Sequence, residues 1–328
     1  MAEERYVRRA RPTKRPQSRL GSVRSLLAAR ALIVLAEVAQ RLPPALLQRL
    51  GHLVGGVMYR VRPARRRLVR ANLERIVGFL AAREMGGERV AAAARDGRAL
   101  DRLVRDAFGH YIRGYLELAA LPAYARSDRL ARVKPDDPQL LDRAFAPGST
   151  VICGLHFGAL EIPGLWATHF LGRRITAPME TIDDPRLQSY FEGTRKRTGL
   201  NVIPMERAAT ELRAALARGE AVALVADRPV GGAGAQVELF GAPARLPLGP
   251  AALALESGAP VWMIATRRSG WTDYRSRIEK IEMPTTGIPR AQLRSFLHNQ
   301  AAAFERAVAD APDQWWTTFF QIWPDIPA

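Results

Sequence analysis

Residues 151–161 read VICGLHFGALE: an apolar, β-branched run ending at Gly154, then His156, then Glu161 five residues on. A histidine with a carboxylate partner is a minimal apparatus for taking a proton from a hydroxyl. The acid fixes the tautomer and balances the imidazolium, and the second ring nitrogen acts as base. On one continuous helix, residues five apart are about 140° out of phase. The two therefore meet only if His156 lies in the turn after a strand and Glu161 one turn into the following helix. Gly154 and Gly158 suit such a turn. The spacing alone is weak, since five histidines and 32 acids in 328 residues give about 0.5 such pairs by chance. A structural loop histidine is the competing reading.

Other chemistries fit less well. Cys153, the one cysteine, lies inside the apolar run and reads as a small buried hydrophobe more than as a nucleophile for His156. No stretch gathers the convergent ligands of a metal site, so no metal is expected. The glycine-rich GGAGA at 231–235 has no following Lys-Ser/Thr and reads as a loop, not a phosphate cradle.

The elements that must position His156 follow from periodicity. Residues 21–145 repeat apolar positions at three- and four-residue spacings through LLAARALIVLAEVAQRL, PPALLQRLGHLVGGVMYRV, RRRLVRANLERIVGFL and DRLVRDAFGHYIRGYLELAAL. From 146 to 328 the texture alternates. TVICGL, RRITAP, LNVIP, AVALVAD and APVWMIATRR read as strands, separated by the helical stretches FGALEIPGLWATHFL, DPRLQSYFEGTRKR and RAATELRAALARG. SGWTDYRSRIEKIEMP reads as an edge strand leading out of the sheet, and PRAQLRSFLHNQAAAFERAVADAP as a closing helix. The expected fold is α/β, a mostly parallel central sheet flanked by helices, with an N-terminal membrane-associating helical region integrated with the core. In such sheets ligands bind beyond the carboxyl ends of the strands, where His156 falls. Asp227 and Arg228 end AVALVAD at the same edge, and both are candidates for binding substrate. Arg228 suits phosphate oxygens, and an Asp227–Arg228 pair capping the strand is the alternative; Arg195 and Arg207 carry the same ambiguity.

Composition adds the setting. The chain is 48% hydrophobic and 25% charged, with a formal net charge of +17. That charge favours anionic lipid headgroups, nucleic acid or a phosphorylated cosubstrate as partner. Residues 1–20 read as a basic disordered tail. Leu26 to Val38 is too short and too interrupted by Arg30 and Glu37 to span a bilayer, and reads as an interfacial helix. Trp315, Trp316 and Trp323 read as core residues, with anchoring at a lipid interface the alternative.

With these residues in hand, the chain resembles the bacterial branch of the lysophospholipid acyltransferase superfamily, and within it the lipid A late acyltransferases and the phosphatidylinositol mannoside acyltransferases. The resemblance rests on His156-x4-Glu161 after the first main strand, APME at 177–180 and Phe191-x3-Arg195-x3-Gly199. It continues through the block from Val202 to Pro229 that ends in ADRP, the block from Val237 to Trp262 that begins VELFG, and RRRLVRANLERIVGF upstream. It implies direct acyl transfer without an acyl-enzyme, with His156 as base, Glu161 as its orienting acid and no cofactor. The cosubstrate would be acyl-CoA or acyl carrier protein. It also implies Glu238 as a further catalytic acid and Glu180 as an acceptor-side residue. The block Glu192-Gly193-Thr194-Arg195 matches the phospholipid-making branch in letters but precedes ADRP and sits on a helical stretch, which points to the glycolipid branch.

The resulting expectation is an O-acyltransferase on the cytoplasmic face of the cell membrane, peripheral or monotopic, acting on a glycolipid or phospholipid hydroxyl. Phosphatidylinositol mannoside acylation is the best match, with lipid A or lysophospholipid acylation as alternatives. No nucleic-acid partner is expected. The rival of another class is a non-catalytic basic protein that binds membrane or nucleic acid.

Overall fold

In the computed structural model, residues 19–125, 128–229 and 234–327 are described, the side chains from residue 29 onward. The expected tail over 1–20 falls almost wholly outside them, as do Gly231, Gly232 and Ala233 of the glycine-rich loop.

Five helices open the described chain: α1 (Arg19–Ala39), α2 (Pro44–Val61), α3 (Pro63–Ala81), α4 (Gly87–Arg95) and α5 (Gly97–Ala119). Proline within the first turn starts α2 and α3 where an N–H would be unpaired anyway, and Asp96 caps α5 by accepting from the amides of Arg98 and Ala99. α2 and α5 cross closely because Gly55 lies against the Phe108 carbonyl and Gly109 against the His52 ring. A Cβ at either position would push the helices apart. Next come α6 (Leu121–Ala125), strand β1 (Val133–Pro135) and α7 (Pro138–Ala144).

The sheet then builds through β2 (Thr150–Gly154), α8 (Ile162–Leu171), β3 (Ile175–Met179), α9 (Pro185–Arg197), β4 (Asn201–Pro204), α10 (Ala208–Ala217) and β5 (Ala221–Val225). A hairpin of β6 (Ala235–Leu239) and β7 (Ala242–Leu246) interrupts, followed by α11 (Gly249–Ser257), β8 (Val261–Arg268), β9 (Tyr274–Ile281) and α12 (Pro289–Ala309). The seven-stranded order is β1-β9-β8-β2-β5-β3-β4. All neighbours are parallel except β8 and β9. Alternate residues of β2 and β8 enter two different cores. Val151, Cys153, Val261 and Met263 pack into one, and Ile152, Trp262 and Ile264 into the other, so both faces of the sheet are covered.

Three expectations need correction. The run read as an edge strand is β9, which lies inside the sheet, paired to β8 on one side and β1 on the other. The edge belongs to β1, drawn from the region read as all-helical; three residues are too few to show a period of two. The helix expected over FGALEIPGLWATHFL begins only at Ile162, so Glu161 stands at its N-cap rather than one turn inside. Among the described residues, no helix is long and apolar enough to cross a membrane.

Candidate active site

His156 follows β2 and Asp227 follows β5, and these two strands are paired in register from Thr150↔Ala221 to Gly154↔Val225. The ladder continues one step further, the Ala226 amide donating to the Gly154 carbonyl at 2.9 Å. Two loops leaving adjacent strands at their carboxyl ends therefore start side by side. The Asp227 carboxylate meets His156 twice, accepting from Nδ1 at 2.7 Å and from its backbone amide at 3.0 Å. Because the carboxylate only accepts, Nδ1 carries the proton and Nε2 is left as an acceptor. The imidazole is partly open, 24% exposed, whereas the Asp227 side chain is fully covered.

Asp227 is held from the far end of the chain. Trp315 Nε1 donates to its Oδ2 at 2.7 Å and Thr317 Oγ1 at 2.6 Å. Burial works against its charged form. The adjacent His156 and the hydrogen bonds from Thr317 and Trp315 outweigh it, and its pKa falls to about 2. The segment carrying these donors also grips the histidine turn: the Trp316 amide donates to the His156 carbonyl at 2.7 Å, and the Gly158 amide to the Gln314 carbonyl at 2.9 Å. Trp315, Trp316 and Trp323 are all buried, as their reading as core residues required.

Gly158 has φ of 50° and lies so close to β8 that a Cβ would run into the Thr266 carbonyl oxygen. Gly158→Ala is thus expected to destabilise the fold by about 1–3 kcal/mol and to reduce turnover with it, checked by urea unfolding.

The orienting role expected of Glu161 is not what the geometry shows. Its carboxylate accepts from Arg195 Nε at 3.0 Å and Nη2 at 2.6 Å, while the imidazole partner is Asp227. Nor does Asp227 cap its strand by pairing with Arg228. Arg228 Nη2 instead donates to Glu180 at 2.8 Å, and its guanidinium lies 4.9 Å from the Phe320 ring centroid. Two ion pairs thus form here: Glu180, just after β3, with Arg228, just after Asp227, and Glu161, at the N-cap of α8, with Arg195 on α9. Arg207 pairs with Glu211 one turn along α10, in solvent. Glu238 sits exposed on β6 between buried Val237 and Leu239, and makes no hydrogen bond to the dyad. The hairpin's Phe240 has its ring centroid 5.6 Å from that of Trp315.

If Glu161 acts by holding Arg195, removing either should cost much the same as removing both. Glu161→Gln and Arg195→Met are each expected to lower kcat/KM roughly 10-fold, with the double variant no worse than about 20-fold. Independent roles would multiply the losses.

Cys153 is buried under the turn, and burial drives its thiol pKa up, which suits packing and not nucleophilic attack. The functional residues that sequence reasoning missed are Gln314, Trp315 and Thr317 as clamps. For Asp227 the signal was present, an acid at the end of a strand, but its partner was misassigned.

Comparison with known proteins agrees with this architecture. The model of the bacterial lipid A biosynthesis acyltransferase family matches residues 19–323, so the chain belongs to that family and is an acyltransferase. Its similarity to curated proteins is narrower. It is 28% identical to the phosphatidylinositol mannoside acyltransferase of Mycolicibacterium smegmatis over 232 residues, 69% of this chain and 70% of that one. With the phosphatidylinositol mannoside acyltransferase of Mycobacterium tuberculosis (strain H37Rv) it shares 31% identity over 159 residues, 47% of this chain and half of the relative.

Proposed function

We propose that the protein transfers a fatty acyl chain from an acyl thioester to a hydroxyl of a membrane glycolipid or phospholipid, with phosphatidylinositol mannoside acylation, for which both relatives are named, the preferred reading. The observation that carries this reading is the His156–Asp227 pair, which engages Nδ1 and leaves Nε2 open at the carboxyl edge of the sheet. In the proposed step Nε2 takes the hydroxyl proton as the oxygen attacks the thioester carbonyl. Asp227 balances the imidazolium. Collapse of the tetrahedral adduct breaks the carbon–sulfur bond, the sulfur leaves with the proton from Nε2, and ester and thiol are released. No acyl-enzyme is required. Among the described residues, the His156 ring bonds to Asp227 and to no hydroxyl or thiol that would serve as a nucleophile.

The thioester is acyl-CoA or acyl carrier protein in this proposal, and no cofactor takes part. Arg195 and Arg228 are the cations placed to meet phosphate at the rim, with Glu180 on the acceptor side. Arg207 and Glu238 take no part in the step as drawn.

Attachment to the cytoplasmic face of the cell membrane belongs to the same proposal. Leu32, Val34, Leu35 and Val38 on α1 and Leu53, Val54, Val57 and Val61 on α2 are exposed, interleaved with exposed Arg30, Arg41, Arg49 and Arg60. An apolar stripe edged with arginine suits an anionic lipid surface. Leu53→Glu with Val57→Glu is expected to reduce co-sedimentation with anionic vesicles at least 5-fold, without lowering the melting temperature.

The deciding experiment is acyl transfer from radiolabelled palmitoyl-CoA, then from palmitoyl-acyl carrier protein, to total membrane lipid, comparing wild type with His156→Ala. A labelled lipid formed by wild type alone supports the reading, and mass spectrometry identifies the acceptor. Silence with both donors overturns the proposed pairing of a long-chain acyl thioester with a membrane lipid acceptor.

A further inference from the structure

We propose that Arg268 and Glu117 are positioning residues for His156, fixing the turn that presents its imidazole from the side of the sheet opposite Asp227. The inference builds on the reading of His156 as the base. Arg268 is the last residue of β8, which flanks β2 on one side as β5 flanks it on the other. Its side chain is only 1% exposed, and its Nη2 donates to the Gly158 carbonyl at 2.9 Å, two residues beyond His156. The same nitrogen donates to Glu117 at 2.6 Å, and Nε reaches both Glu117 oxygens at 3.1 Å.

Glu117, on α5, is itself fixed by Arg113 Nε at 2.9 Å and the Tyr274 hydroxyl at 3.1 Å. The backbone of Arg268 is zipped to Gln314: its amide donates to Oε1 and its carbonyl accepts from Nε2, each at 2.9 Å. Gln314 in turn takes the Gly158 amide on its own carbonyl. Both polar groups of the Gly158 backbone are therefore anchored, one by Arg268 and the other by the residue zipped to it.

Stability alone does not account for this arrangement. Two arginines and one glutamate are buried together, and Arg268 Nη1 has no hydrogen-bond partner among the described residues. Well-packed apolar side chains commonly replace such buried charges with no loss of stability. What apolar residues cannot supply is a planar fork that grips a carboxylate along one edge while bonding a carbonyl in a fixed direction. A lysine at 268 keeps the charge opposite Glu117 but cannot hold both directions at once. The expected consequence is an imidazole still bonded to Asp227 but displaced relative to the attacking hydroxyl, which lowers kcat and leaves donor binding alone.

The test uses the full chain with palmitoyl-CoA and vesicles of total membrane lipid, recording kcat, KM for palmitoyl-CoA and melting temperature. Two variants are compared with wild type: Arg268→Lys, and the pair Arg268→Met with Glu117→Gln, in which the Gln carbonyl still accepts from Arg113. For the folded variants kcat is expected to fall roughly 10- to 100-fold with KM within about 2-fold of wild type. Wild-type kcat in either folded variant overturns the proposal, as does a raised KM with unchanged kcat, which would make Arg268 a substrate-binding residue. Should Arg268→Lys fail to fold, the neutral pair decides alone. His156→Ala run alongside separates the two readings. If it is as active as wild type, the base assignment fails and this proposal with it. If it is inactive while both Arg268 variants turn over normally, only this proposal fails.

Discussion

Asp227→Asn is expected to lower kcat by roughly 10³- to 10⁴-fold while leaving the protein folded. Oδ2 of Asp227 accepts from three donors, the His156 amide, Trp315 Nε1 and Thr317 Oγ1, and only an oxygen can stand there. An Asn side chain therefore places its carbonyl in that position and turns its NH₂ toward Nδ1. Nδ1 then becomes the acceptor, the ring proton moves to Nε2, and the base is lost although every heavy atom stays near its place. The variant also reads out the acid limb of stability. A carboxylate whose folded pKa lies below its unfolded value stabilises above the unfolded pKa, and that contribution disappears as pH falls through the folded one. With a folded value of about 2, the wild-type advantage over Asp227→Asn should shrink by about 2 kcal/mol between roughly pH 4 and pH 2, as followed by urea unfolding at a series of pH values.

His156→Ala is expected to lose roughly 10²- to 10⁴-fold in kcat with little change in KM for the donor, because the base acts only as the hydroxyl loses its proton. The site is 24% exposed at His156, so free imidazole has a route in, and partial rescue by added imidazole is expected in the alanine variant. Activity within 3-fold of wild type without added imidazole would rule out the base assignment. Comparing the two variants is informative in itself. Losing the imidazole and losing its tautomer should cost similar amounts if Asp227 acts through His156 and touches nothing else in the reaction.

The address of the histidine was legible in the sequence, because a β-branched run broken by glycine before a helical pattern is a local signal and the carboxyl edge follows from it. β2, β3, β4, β5 and β8 were legible for the same reason. The identity of the orienting acid was not. His156 and Asp227 are 71 residues apart, and they meet only because β5 lies next to β2, an order that no local pattern encodes. Glu161 was favoured by proximity in the chain, but as the N-cap of α8 it is turned to Arg195. Gln314, Trp315 and Thr317 gave no chemical signal at all, since aromatic and amide side chains near a helix end read equally well as packing. β1 and the place of β9 were hidden by shortness and by the one antiparallel pairing in the sheet.

The distance between the site and its clamp bears on how the protein is made. His156 and Asp227 are synthesised first, and the tryptophan that holds the carboxylate is added 88 residues after Asp227. During translation there is thus an interval in which both members of the dyad have been made but the two side-chain donors to Asp227 Oδ2 have not. A chain ending before Pro312 would carry the H-x4-E motif and both members of the dyad but neither Trp315 nor Thr317, the two side chains that donate to Asp227 Oδ2 beside the His156 amide.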